Sequence, residues 1–385
     1  MIFLVSVGII CEYNPFHLGH KKQIDRIKAE FGGDCAVICL MSGNFVQRGA
    51  PAVFDKSVRA KAAVLSGADL VLELPVTYAL SSAEGFARGG VEILGKFCDY
   101  LCFGCETGEE STLINTARAL LSEEFHPILR QELEKGVSFP AARAAALEKL
   151  GLDAEILRRP NDILAVEYCK AILATGTAMK PLPIVREGSY HSETPDPENP
   201  SATALRKLIT ENGDWQSYVP ECTRNIFQTA SIHTPEAGER AVLARLRAMT
   251  DGEFEALPYG SEGLWRKFMH ACRRETSLSA ITAATKSKRY TATRIDRMVM
   301  CAYLGISAEA LGQPAPHVRA LALNDRGRVV LKQARERLQI INAGESIDNP
   351  YFELEKRCAD LYGLFSATPE APGAEEKQRI YYHQE

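Results

Sequence analysis

Ser6-Val7-Gly8-Ile9-Ile10-Cys11-Glu12-Tyr13-Asn14-Pro15-Phe16-His17-Leu18-Gly19-His20 is the stretch on which the fold turns. Its first half is apolar with β-branched residues and reads as a buried strand. Asn14-Pro15 forces a turn, because proline fixes its own φ and pushes its predecessor out of the helical region. From Lys21 to Lys28 the pattern is polar and helix-forming. Strand, tight loop and helix N-terminus in that order suit an anion, since unpaired backbone N–H groups and the helix dipole both point at it. His17 and His20 add side-chain donors, and in the first turn of a helix they would share a face. Imidazole N–H groups aimed at an α-phosphate would stabilise the charge that develops as pyrophosphate leaves. One such donor is worth about 3 to 4 kcal/mol in a transition state. Gly19 leaves room for a nucleotide base to approach the backbone. H-x-G-H alone would also suit a plain turn with two surface histidines; the strand before it and the helix after it favour the functional reading.

The 385 residues can hold two domains or three small ones. A net charge of -4 gives no global sign of nucleic-acid binding, so contact with RNA or DNA needs a local patch. Met1 to Leu4 is apolar but lacks a basic leader and is too short to span a bilayer. It reads as the start of the first strand. No later stretch reaches transmembrane length, so a cytoplasmic protein without a membrane partner is expected. The 11 cysteines lie mostly inside apolar runs and read as reduced core thiols. Cys98, Cys102 and Cys105 have the C-x3-C-x2-C spacing of iron–sulfur radical enzymes. Cys102 sits inside an apparent strand, Tyr100 to Gly104, however, and a strand spreads ligands by about 3.3 Å per residue. No cluster and no metal site are expected.

Cys35 to Met41 reads as a second buried strand. The loop Ser42 to Pro51 follows, with two glycines, a proline and Arg48, in the position where open α/β sheets bind ligands. A helix is predicted from Asp55 to Leu65; its Lys56 and Arg59, by charge alone, read as a solvated face. Strand Leu70 to Pro75, a helix over 81–96 and strand Tyr100 to Phe103 continue the alternation. The first domain is therefore α/β with a mainly parallel sheet. Residues 111–150 read as a helical insertion. Another helix starts near Arg159, with Asn161 or Asp162 as its cap. In strand Leu182 to Arg186, Arg186 would project towards a nucleotide. Ser201-Ala202-Thr203-Ala204-Leu205-Arg206 is a second helix start suited to a phosphate.

From about Asp214 helical patterns dominate: 236–249, 262–275 and 293–304. A strand-like run, Val318 to Leu323, is followed by helices over 326–340 and 351–365, and by a charged tail from Ala371 that reads as frayed. The expected organisation is 1–213 and 214–385. The most basic stretch lies in the second part. Lys286, Lys288, Arg289, Arg294 and Arg297 are interleaved with hydroxyls and Tyr290, a pattern that can hold an RNA backbone and stack a base, or simply form a solvated helix start.

These residues carry a resemblance. H-x-G-H after the first strand, with Ser-x-Thr-x-x-Arg later, resembles the Rossmann-like nucleotidyltransferase superfamily. Gly8 to His20, Gly43 to Gly49, Asp55-Lys56, Arg59-Ala60, Gly67-Ala68-Asp69, Pro160 to Leu164 and Ser287 to Arg297 together resemble the bacterial tRNA(Met) cytidine acetate ligase family, over nearly the whole chain. That resemblance implies a Rossmann-like domain with a parallel sheet plus a mainly helical C-terminal domain. It implies that ATP, accompanied by Mg²⁺, activates acetate as acetyl-adenylate. The acetyl group then passes to N4 of the wobble cytidine of elongator tRNA(Met). By position, the ATP site would be Ile10 to His20 with Lys21, Lys22 and Gln23, then Gly104, Asn161 and Arg186. His17 and His20 would act at the α-phosphate, and Ser201, Thr203 and Arg206 would hold the phosphates. Leu18 replaces a residue more often polar in the family, and Cys105 stands where serine is expected. The competing readings are a small-molecule adenylyltransferase with no RNA substrate and a nucleotide-binding regulator without chemistry; neither accounts for the basic stretch.

Overall fold

A computed structural model describes residues 4–185 and 200–384. The strands are β1 Val5–Cys11, β2 Cys35–Ser42, β3 Phe45–Val46, β4 Ala50–Pro51, β5 Leu70–Leu74, β6 Tyr100–Cys105, β7 Lys180–Val185, β8 Val318–Asn324, β9 Ile340–Asn342 and β10 Tyr381–His383. One sheet runs in the order β10-β8-β5-β2-β1-β6-β7, with β9 paired to β8; β3 and β4 form a separate hairpin. From β5 to β7 the sheet is parallel, and β8 joins it antiparallel to β5. β2 and β5, inside the parallel part of the sheet, are buried on both faces, which is why they read as nearly continuous apolar runs.

Helices cover both faces. Ala83–Leu94, Glu110–Leu121 and Pro160–Thr175 pack against Ile10, Ile38 and Leu72 on one side. Leu18–Phe31, Lys56–Leu65 and Ala202–Thr210 pack against Val7, Val37 and Val71 on the other. A third core belongs to the helices after 235, and Phe45 of the hairpin enters it, edge-on to Tyr362 and Phe365 at 5.9 and 6.0 Å. The insertion forms three helices between β6 and β7, ending with Phe139–Lys149. All 11 cysteines are free thiols. Cys102 packs on one face of the sheet and Cys98 and Cys105 on the other, so the C-x3-C-x2-C set does not converge. No group of metal-ligating side chains occurs among the described residues. None of their helices is long and apolar enough to cross a membrane.

Four sequence expectations are corrected. The boundary near 213 does not separate sheet from helices, because β8, β9 and β10 return to the first sheet. The helix expected over 326–340 stops at Ala334, and Ile340–Asn342 pairs with β8 instead. Lys56 and Arg59 are buried rather than solvated. Arg59 spends its guanidinium on the carbonyls of Glu12 (2.6 Å), Phe54 (2.8 Å), Ser42 (3.1 Å) and Gly43, and so ties the loops after β1 and β2 together. The tail is not frayed. Glu375 is 1% exposed, its Oε2 lies 2.7 Å from Lys56 Nζ, and its Oε1 lies 2.7 Å from Arg319 Nε. Glu73 also meets Lys56 at 2.7 Å, and Glu355 meets Arg319 and His317 at 2.9 and 2.8 Å.

Candidate active site

A cavity of about 1180 Å³ lies along the carboxyl ends of β7, β6, β1 and β2. Helices beginning at Leu18, Ala83, Pro160, Ala202, Pro235 and Ala292 all contribute residues from their first turns to its wall. Each brings unpaired backbone N–H groups and a positive dipole end, so the cavity is built for anions. Its side chains agree. Lys22, Arg26, Arg48, Arg206, Lys207 and Arg297 line it against three carboxylates, Glu12, Glu106 and Glu236. A chain of negative net charge thus concentrates positive charge at one place.

The loop after β1 is held from several sides. Tyr13 takes a positive φ of 47°, and Asn14–Pro15 is a cis peptide. Asn14 accepts the Val53 N–H on Oδ1 and an Arg206 N–H on its carbonyl, both at 2.8 Å. Arg206 also donates to Thr203 Oγ1 at 3.1 Å. Glu12 Oε1 accepts the Gln47 N–H at 2.8 Å. Ser201 caps its helix by accepting from Ala204 N–H at 3.1 Å.

His17 is the N-cap of helix Leu18–Phe31, one position ahead of the first turn, and His20 is the third residue inside it. His17 Nδ1 accepts the Gly19 N–H at 3.1 Å, and His20 Nδ1 accepts the His17 N–H at 3.3 Å. This reciprocal cap fixes the tautomer: with both Nδ1 atoms acting as acceptors, each neutral ring carries its proton on Nε2. The rings stack with centroids 3.7 Å apart. A Cβ on Gly19 would come within 3.0 Å of the His17 ring, so the small residue between the histidines keeps that ring in place.

Of the expected nucleotide residues, Ile10, Cys11, Glu12, Tyr13, Asn14, His17, Gly19, His20, Lys22, Gln23, Gly104, Asn161, Ser201, Thr203 and Arg206 line the cavity. Pro15, Phe16, Leu18 and Lys21 stand off it; Phe16 is buried against Tyr13, and Lys21 pairs with Asp25. Arg186 lies outside the described residues. Neither Asn161 nor Asp162 caps its helix. Arg159 holds the cap position, and Asp162 reaches across to accept the Glu106 and Thr107 N–H groups at 2.7 and 3.1 Å. Asn161 donates to Glu106 Oε1 at 2.7 Å. Sequence reading missed Arg26 and Lys207. Arg26 follows Gly19, Lys22 and Gln23 at helical spacing, a signal that was present.

The five cations of the basic stretch part company. Lys286 and Lys288 are exposed, and Arg289 pairs with Glu262 at 2.8 Å. Arg294 donates to the Tyr259 carbonyl at 2.7 and 3.0 Å. Arg297 lines the cavity.

Residues 4–377 match the HIGH Nucleotidyl Transferase family. The tRNA(Met) cytidine acetate ligase of Anoxybacillus flavithermus is 34% identical over 98% of both chains. The chain belongs to the tRNA(Met) cytidine acetate ligase family. Its namesake in Clostridium novyi is 36% identical over 86% of this chain and 88% of that one. Among solved structures, apo Thermotoga maritima TmcAL superposes with a TM-score of 0.90 at 28% identity, covering 99% of this chain and all of that one. The same protein bound with alpha-thio ATP gives 0.88 at 29% identity, with the same coverage. Both superpositions thus extend over almost the whole of this chain.

Proposed function

We propose that this chain activates acetate with ATP and acetylates N4 of the wobble cytidine of elongator tRNA(Met). The observation that carries the reading is the stacked His17–His20 pair, both rings tied through Nδ1 at a helix N-terminus in a cavity lined mainly by cations. In the first step an acetate oxygen bonds to the α-phosphorus and pyrophosphate leaves. The Nε2–H groups of His17 and His20 meet the charge that develops on the α-phosphate, where a fixed donor acts without reorganising. Ser201, Thr203 and Arg206 hold the β- and γ-phosphates, and Gly104 and Asn161 border the nucleoside. Mg²⁺ comes with the nucleotide as MgATP; such ions are bound largely through substrate phosphates, and no protein ligand is assigned to it. In the second step a bond forms between cytosine N4 and the acetyl carbon. The acyl carbon–oxygen bond breaks, AMP leaves, and the N4 proton passes to a cavity carboxylate, for which Glu12 is the candidate. Cytosine N4 is weakly nucleophilic, so a mixed anhydride held beside it is what makes the transfer feasible. An anticodon loop presents the base unstacked at least cost. An enzyme acting on tRNA works in the cytoplasm.

The test is transfer of labelled acetate to total bacterial tRNA with and without ATP, followed by nucleoside analysis. ATP-dependent label in N4-acetylcytidine is the expected result. ATP–pyrophosphate exchange independent of acetate, with no label in RNA, would instead mark a small-molecule adenylyltransferase.

A further inference from the structure

The cavity is larger than the roughly 300–1,000 Å³ usual for one small ligand. It also divides along the sheet. On the β6–β7 side its wall is Gly104, Asn161 and Ile184; on the β2 side it is Gln47, Arg48, Val53, Thr293 and Arg297, with Glu12 between the two. The nucleotide reading uses the first side and leaves the second without an occupant.

Arg297 is the singular residue there. Arg59 and Arg319 spend their guanidinium on several carbonyls or carboxylates, and Arg294 spends its own on the Tyr259 carbonyl and the Ser261 hydroxyl. Arg297 pairs with no carboxylate among the described residues. Its Nε is buried without a hydrogen-bond partner, and Nη1 reaches the Gln47 carbonyl at 3.5 Å. The guanidinium lies 5.1 Å from the Tyr259 ring centre, whose hydroxyl is anchored on the Leu80 carbonyl at 2.7 Å. The hairpin is pressed onto the same spot. Gly49 has φ 77°, and a Cβ there would sit 2.4 Å from Arg297 N. The Tyr259 hydroxyl also accepts from Arg297, so the group is positioned by that phenol and by packing, and of its five N–H donors it keeps some to spare.

We propose that the β2-side half of the cavity seats the acceptor base, with Arg297 donating to its Watson–Crick edge. Cytosine offers two adjacent acceptors, O2 and N3, to a planar fork of N–H donors, and N4 stands next to them, facing the nucleotide half. Uracil presents an N3–H at the same place and would leave a donor facing a donor. Arg297 is thus a specificity residue for cytosine over uracil, and this inference rests on the acetyl-transfer reading above.

The experiment compares Arg297→Gln and Arg297→Lys with the parent chain, using an unmodified elongator tRNA(Met) transcript. Three quantities are read: acetate-dependent ATP–pyrophosphate exchange, affinity for the transcript, and single-turnover acetyl transfer at saturating transcript. Exchange and affinity are expected to change less than about 3-fold, with transfer falling about 100-fold in both variants, since lysine cannot replace a two-pronged donor. Retained exchange also shows that the variants fold. A raised KM for acetate in exchange would overturn the proposal and place Arg297 in the adenylation half. Normal transfer at saturation with weakened, less salt-dependent binding would make it a phosphate contact. Absence of acetate-dependent exchange in the parent chain would sink the functional reading itself, a separate failure.

Discussion

Two polar clusters lie near the same edge of one sheet and have opposite fates. At the end of β1 the edge opens into the cavity, and six cations line its wall. Two strands away, Glu73 near the end of β5 stands in register with Arg319 of antiparallel β8, and the place is plugged. Lys56 and Arg319 are met by Glu375 from the far end of the chain. The protein supplies its own carboxylate where, at the cavity, an anionic substrate would sit. A cation held at the carboxyl end of a strand is thus no sign of a site in itself. What decides is whether the chain closes over it.

The sharpest way to break this comparison is to remove the plug. Glu375→Ala leaves Lys56 and Arg319 buried with one counter-charge fewer, and losing one partner of a buried pair costs about 3 to 5 kcal/mol. Urea unfolding at pH 7 should show that loss, with Glu375→Gln less affected because its amide oxygen can still accept from Lys56. Loss below about 1 kcal/mol would mean that the tail rests on the sheet rather than clamping it. On the open side, His17→Ala and His20→Ala should each lower acetate adenylation by about 10² to 10³-fold. The two should differ in stability. His17 is the N-cap, and its loss should cost about 1 kcal/mol more than that of His20. Equal stabilities and near-normal turnover would reduce both histidines to capping groups.

The open cluster was legible in the sequence because its parts are local. Strand, Asn14-Pro15, H-x-G-H and helix follow one another within twenty residues, and their spacing carries the geometry. The plugged cluster was not. Lys56 and Glu375 are 319 positions apart, and each alone looks like a surface charge. The alternation of β1, β2, β5 and β6 gave the parallel sheet, and Val318 to Leu323 gave a strand, but nothing local names β5 as its partner. Ile340–Asn342 shows the same limit: a three-residue strand inside a helical pattern is chosen by the open edge of β8. Arg297 was found for its charge but set among four neighbours that the fold turns elsewhere.

The smallest expected effect bears on how the plug balances its charges. Three carboxylates, Glu73, Glu355 and Glu375, face two permanent cations, Lys56 and Arg319. Burial, with Glu375 and Glu355 adding to it, raises the Glu73 carboxyl from 4.5 to about 7 against the pull of Lys56. His317 and Arg319 outweigh burial at Glu355 and hold it below its usual value. Glu73 therefore keeps its proton below about pH 7. Between about pH 4.5 and 7 the folded chain binds a proton that the unfolded chain has released, so the contribution of this group to stability falls as pH rises through that window and levels off above it. Glu73→Gln should flatten this component, making the change in urea midpoint from pH 5 to 8 less negative than in the parent. Parallel profiles for the two proteins would mean that Glu73 is ionised throughout.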